Sequence, residues 1–204
     1  MALSAAAIPT GLPRKLPRMS RQLYVFDRPQ RFVAGTVGQP GERTFYLQVS
    51  DGPRTVSVSL EKTQMMVLAE RMSELLDEVA TRQSATVPPE TDAGISDLDP
   101  LHSPVDEEFR VAAMGLAWDA DSAAVVIEAV AGGDSDEPVD EDQILSDDED
   151  GPDALRVKIT PVAARAFVDR ARLVVSAGRP PCPLCSLPLD AEGHVCPRQN
   201  GYRR

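Results

Sequence analysis

Cysteine and histidine are scarce in this chain of 204 residues, with three of the first and two of the second. Three thiols cannot all pair, and so few of them cannot form a disulfide scaffold, so a reducing, cytoplasmic setting is expected. No apolar run approaches the roughly 20 residues that span a bilayer, so no membrane association is expected. The amino-terminal stretch MALSAAAIPTGLPRKLPR has no basic region ahead of its alanines, and Pro9 and Pro13 interrupt it before a signal-peptide core can form. Residues 1–18 therefore read as a disordered tail, with Met19 a possible true start. A phosphate-binding glycine loop is also missing: AGTVGQPG lies between two strand-like runs and reads as a hairpin turn.

Basic residues are absent from one segment altogether. Between Gly132 and Asp153 there are eleven acidic residues and no lysine or arginine, which leaves 21 acidic against 21 basic in the rest of the chain. The net charge of -11 thus belongs to one segment. With like charges and almost nothing apolar except Val139, Ile144 and Leu145, this segment is expected to be disordered.

What is present is periodic. From Gln22 the runs QLYVF, RFVAGTV, TFYLQV and RTVSVSL alternate as strands do and are separated by turns marked with Gly, Pro and Asp. Met65, Leu68, Met72, Leu75 and Val79 then recur at steps of three and four, which predicts a helix from about Glu61 to Ala80. The second half repeats the plan with EFRVAAMGLAW, AAVVIEAVA and ALRVKI before TPVAARAFVDRARLVV. A shift of 99 maps Val56, Val58 and Leu60 onto Leu155, Val157 and Ile159, and Leu68, Met72 and Leu75 onto Phe167, Ala171 and Val174. Thr160 as N-cap and Pro161 at the first helical position open the second helix, and Gly178 with Pro180 and Pro181 closes it.

The expected fold is α+β, with two related antiparallel sheet-plus-helix units sharing a sheet, an internal duplication. The units span 19–80 and 108–178, separated by a flexible linker over 81–107 that holds His102. The acidic insertion 132–153 lengthens a hairpin turn of the second unit, and residues 179–204 form a small tail. Loop closure costs only about 0.6 kcal/mol per doubling of length, so the sheet tolerates the insertion.

All three cysteines and one histidine crowd into PPCPLCSLPLDAEGHVCPRQNGYRR. Zn²⁺ takes four tetrahedral ligands from thiolate and imidazole, and Cys182, Cys185, His194 and Cys196 are such a set with no surplus. Pro183 favours the tight turn that aims two sulfurs at one point, and Gly193 lets the chain bend before the second pair. A proline-rich segment this short cannot bury a core, so a structural Zn²⁺ supplies the cross-link. Two rival readings are a redox CxxC, which belongs at a helix N-terminus that the flanking prolines oppose, and three unrelated, inert cysteines.

The segments RQLYVFDRPQRFVAGTVGQPGERTFYLQ, EEFRVAAMGLAWD and GRPPCPLCSLPLDAEGHVCPRQNGYRR together resemble a family of actinobacterial proteins known as a domain of unknown function. The resemblance covers Met19 to Arg204 apart from the two variable linkers, and its most distinctive part is the tail. It implies an actinobacterial source and brings no activity with it. Ser186 stands where glycine is expected, which removes no ligand.

No catalytic residues emerge, and the chain is not expected to be an enzyme. His194 is assigned to the metal, His102 lies in the linker as a plain solvated side chain, no cysteine remains as a nucleophile, and no carboxylate pair stands out. The leading expectation is a non-catalytic, zinc-stabilised binding or regulatory protein with an unidentified protein partner. An alternative is a single-strand nucleic-acid binder, with Tyr24, Phe26, Phe32, Phe45 and Tyr46 as a stacking face. Arg21, Arg28, Arg31, Arg43 and Arg54 would then meet phosphate, helped by Arg198, Arg203 and Arg204 of the tail. An enzyme of unidentified reaction is the third reading. The acidic insertion is also expected to attract the basic tail.

Overall fold

The alternating run RTVSVSL forms a strand that sends Val56, Val58 and Leu60 into the core, as a side-chain period of two dictates. In the computed structural model it is one of seven strands among the described residues. The structure describes residues 21–83, 97–132, 144–146, 151–178, 182–185 and 196–198. The elements are β1 (Leu23–Asp27), β2 (Arg31–Val37), β3 (Thr44–Asp51), β4 (Arg54–Leu60), α1 (Lys62–Gln83), β5 (Glu107–Asp119), β6 (Ala124–Ala131), β7 (Ala154–Ile159) and α2 (Pro161–Ser176). Together they make an α+β fold with one sheet in the order β1-β7-β6-β5-β4-β3-β2. No helix among the described residues is long and apolar enough to cross a membrane.

Each half contributes a three-stranded antiparallel meander followed by a helix: β2-β3-β4 then α1, and β5-β6-β7 then α2. Of the positions 99 apart, the apolar ones share their burial, whereas Glu70-Arg71 and Asp169-Arg170 do not, Arg71 being exposed and Arg170 buried. Val56 and Leu155, Val58 and Val157, Leu68 and Phe167, and Met72 and Ala171 are all buried, and Leu75 and Val174 are both half-buried. The expected all-antiparallel sheet is corrected in two places. The meanders join through the parallel pair β4 and β5, because the connection through α1 is long enough to carry the chain back to the same end. β1, read as the first strand of the first unit, lies instead parallel to β7 at the far edge. Period-two alternation shows which face a strand buries and not which neighbour it takes.

The sheet curls strongly. β1 and β4 are four strand spacings apart in the order, about 19 Å if flat at about 4.8 Å per strand. Yet the Arg54 guanidinium lies 4.3 Å from the centre of the Phe26 ring. β5 makes the bend: its first residues pair with β4 and the rest with β6, with a register shift between Val111 and Ala113. The helices fill the concave side, where Phe32 of β2 stacks on Phe167 of α2 at 4.8 Å. Between the helices, the buried Arg165 donates to Ser73 and Asp77.

The predicted linker divides. α1 runs on to Gln83, residues 84–96 lie outside the described residues, and residues 97–106 wrap the β2 edge. Arg31 and Arg170 both bind Asp97, and Arg170 also donates to the carbonyls of Ala34 and Asp99. Leu101 crosses Gly35 so closely that a β-carbon there would stand 2.5 Å from its side chain. Gln48 holds the backbone of His102 with both ends of its amide.

Candidate metal centre

α2 begins as its sequence predicts, with the Thr160 hydroxyl accepting from the N–H of Ala163 and Pro161 in the first turn. It ends at Ser176, where Arg43 donates to the carbonyl of Ala177 and fixes the chain's exit. Beyond it, residues 183–185 form a turn that presents Cys182 and Cys185, and Cys196 opens a second turn. The sulfurs of Cys182, Cys185 and Cys196 all lie within 4.8 Å of one another, and three such thiols can hold a metal ion. Cys182 and Cys196 are buried, and their sulfurs are 3.9 Å apart. Tetrahedral thiolates about 2.3 Å from Zn²⁺ stand about 3.8 Å from each other, whereas a disulfide brings sulfurs to about 2.0 Å. The donor set and its spacing fit the ion. His194 lies outside the described residues, as do Arg203 and Arg204; Arg198 is exposed beside the cluster.

The aromatic residues considered as a stacking face are placed otherwise. Phe26 and Phe45 are buried, Phe32 is stacked on Phe167, and Tyr24 tilts against Phe109. Burial, reinforced by a hydrogen bond to Glu108, pushes the Tyr24 phenol up to about 12. Burial and the charge of Glu107 also raise that of Tyr46. Each exposed end of these rings therefore meets a carboxylate where a phosphate would have to sit. The five interleaved arginines are engaged within the chain: Arg21 with Glu128, Arg28 with the Ser122 carbonyl, Arg31 with Asp97, Arg43 with Ala177, and Arg54 with the Val25 carbonyl.

A second cluster escaped sequence reasoning. Glu128, in the middle of β6, is fully buried, and its carboxylate binds Arg21, Arg156 and the backbone N–H of Leu145. Arg21 and Arg156 also reach the Ser146 carbonyl at 2.9 Å each. Residues 144–146 of the acidic insertion therefore have a fixed place on the sheet, while 133–143 and 147–150 lie outside the described residues. The signal was available: Ile144 and Leu145 are two of the three apolar residues in an otherwise polar run.

The sequence model of the family described as "Protein of unknown function (DUF3090)" matches residues 24–196, and the chain belongs to that family. No curated protein matches it, and no solved structure does.

Proposed function

We propose that this member of the family is a non-catalytic binding or regulatory module whose carboxy-terminal tail is folded around one structural Zn²⁺. The observation that carries the reading is the convergence of Cys182, Cys185 and Cys196, with two of the three sulfurs buried. His194 completes the shell as the fourth ligand. Four protein ligands leave no position for a reacting water, so the ion supplies cohesion rather than Lewis-acid chemistry. Thiols kept as ligands require a reducing compartment, and the reading places the protein in the cytoplasm. A protein partner is favoured over nucleic acid because the arginines and most of the aromatics between residues 21 and 54 are engaged within the chain.

Metal analysis of the full chain, purified under reducing conditions without chelator, tests this. One zinc per chain is expected, with loss of that zinc in Cys185→Ser and in His194→Ala. Metal-free protein, or a native disulfide between Cys182 and Cys185, would overturn it.

A further inference from the structure

The seven-stranded sheet is interrupted along β5. Residues 107–110 have β4 on one side, but β4 ends at Leu60, and from residue 111 onward β5 pairs, among the described residues, with β6 alone. Burial records the difference. After Val111 no residue of β5 is fully buried, whereas β6, flanked on both sides, is buried at every position but Val126. Met114, Leu116 and Trp118 are consequently left half-buried on the core-facing side.

A cavity of about 350 Å³ runs beside this edge. One wall is residues 112–116 of β5, and the other is Thr63, Gln64, Val67, Leu68 and Arg71 of α1. Its helix wall is apolar and exposed at Val67, which is about half accessible (53%). At one end the amide of Gln64 donates to the carbonyls of Val111 and Ala112, as the N–H of a neighbouring strand would. Arg71 stands further along the helix wall. Its contact with Glu74 joins two exposed side chains, 70% and 57% accessible, so it exchanges readily for another carboxylate.

We propose that this groove binds an extended peptide segment of a partner protein by strand addition to β5. The peptide carries apolar side chains toward Val67 and Leu68 and a carboxylate opposite Arg71. An open strand edge supplies main-chain hydrogen bonds, and a flanking helix supplies side-chain selection. An exposed, apolar edge of this kind is otherwise an aggregation site that proteins cover or blunt. The Arg71 guanidinium selects an acidic residue by charge. The inference names the partner class for the binding module proposed above, and it is independent of the zinc.

The test uses the full chain and a displayed library of random peptides of about seven residues, the length of an ordinary strand. The selected peptide is then synthesised in three forms: unmodified, with alternate backbone amides N-methylated, and with its acidic residue changed to lysine. Fluorescence anisotropy is expected to show binding that N-methylation weakens by about tenfold or more, and that Val67→Glu weakens comparably. Arg71→Glu is expected to reverse the preference between the acidic and lysine forms. Zinc content should stay unchanged in both variants, which separates failure here from failure of the metal reading. Enrichment of no peptide, equal binding of the N-methylated form, insensitivity to Val67→Glu, or a dimer in sedimentation that Val67→Glu dissolves would each overturn the proposal.

Discussion

Gly115 of β5 lies so close to Ile144 of the acidic insertion that a β-carbon on the glycine would stand 2.4 Å from the isoleucine Cγ2. Real β-carbons do not approach that closely, so Gly115→Ala must displace Ile144 and its neighbours. Overpacking of this kind costs about 1–3 kcal/mol. The expected result is a lower urea midpoint together with faster hydrogen exchange at the Leu145 amide, which now donates to Glu128. Unchanged exchange at Leu145 would show that the contact does not hold the insertion in place. The expected attraction between insertion and tail must be tested with this anchor kept. Deleting Gly132 to Asp153 removes the Ser146 carbonyl that Arg21 and Arg156 share as well as the acidic charge.

Glu128→Ala should be the more damaging change. The carboxylate is completely buried, and the side chains of Arg21 and Arg156 beside it are only 3% and 19% exposed. Removing it takes from two guanidinium groups the buried carboxylate they share, a loss of about 3 kcal/mol or more. Chemical denaturation measures this directly. Arg156→Ala added to Glu128→Ala should cost less than the two single changes summed, because both changes break the same ion pair.

Acid should loosen the strap around β2. The hydrogen bond from Arg31, aided by the Asp99 N–H and by the charges of Arg31 and Arg170, outweighs burial and holds the Asp97 carboxyl below its ordinary 3.8. A carboxylate whose pKa is depressed by folding stabilises the fold fully above its unfolded value, and that contribution is lost as pH falls through the folded value. Asp119, held low chiefly by Lys158 and Ser122, acts in the same direction. Denaturation midpoints should therefore be level near neutrality with respect to these groups and drop below about pH 4. Asp97→Asn should lower the neutral plateau and flatten the acid limb; an acid limb as steep as that of the unaltered chain would count against the assignment.

Local features were legible because local chemistry decides them. Thr160 caps α2, Leu155, Val157 and Ile159 point inward, and the cysteines cluster, each from spacing alone. Features that depend on distant partners were not. Leu75 was expected on the α1 stripe, yet it is Leu76 that is fully buried, since a helix of 3.6 residues per turn drifts off a strict alternation of threes and fours. Ser57 and Ser59 alternate with Val56, Val58 and Leu60 and so lie on the opposite face of β4. They are buried, and Gln48, beside Ser57, also holds the strap at His102. Glu128 sits in AAVVIEAVA like any outward strand residue, and nothing nearby in the chain announces the two arginines that enclose it.

The position of β1 also sets an order of events. Leu23 pairs with Ala154, and next to it Gln22 reaches Asp153 across 131 residues. On the ribosome β1 emerges long before its mate is translated, so the first meander and α1 must condense while β1 waits without a ladder. Docking β1 therefore waits on the translation of β7, and contacts so remote in sequence slow folding. A nascent chain stalled before residue 154 should leave β1 open to proteases, and release of β7 should shield it.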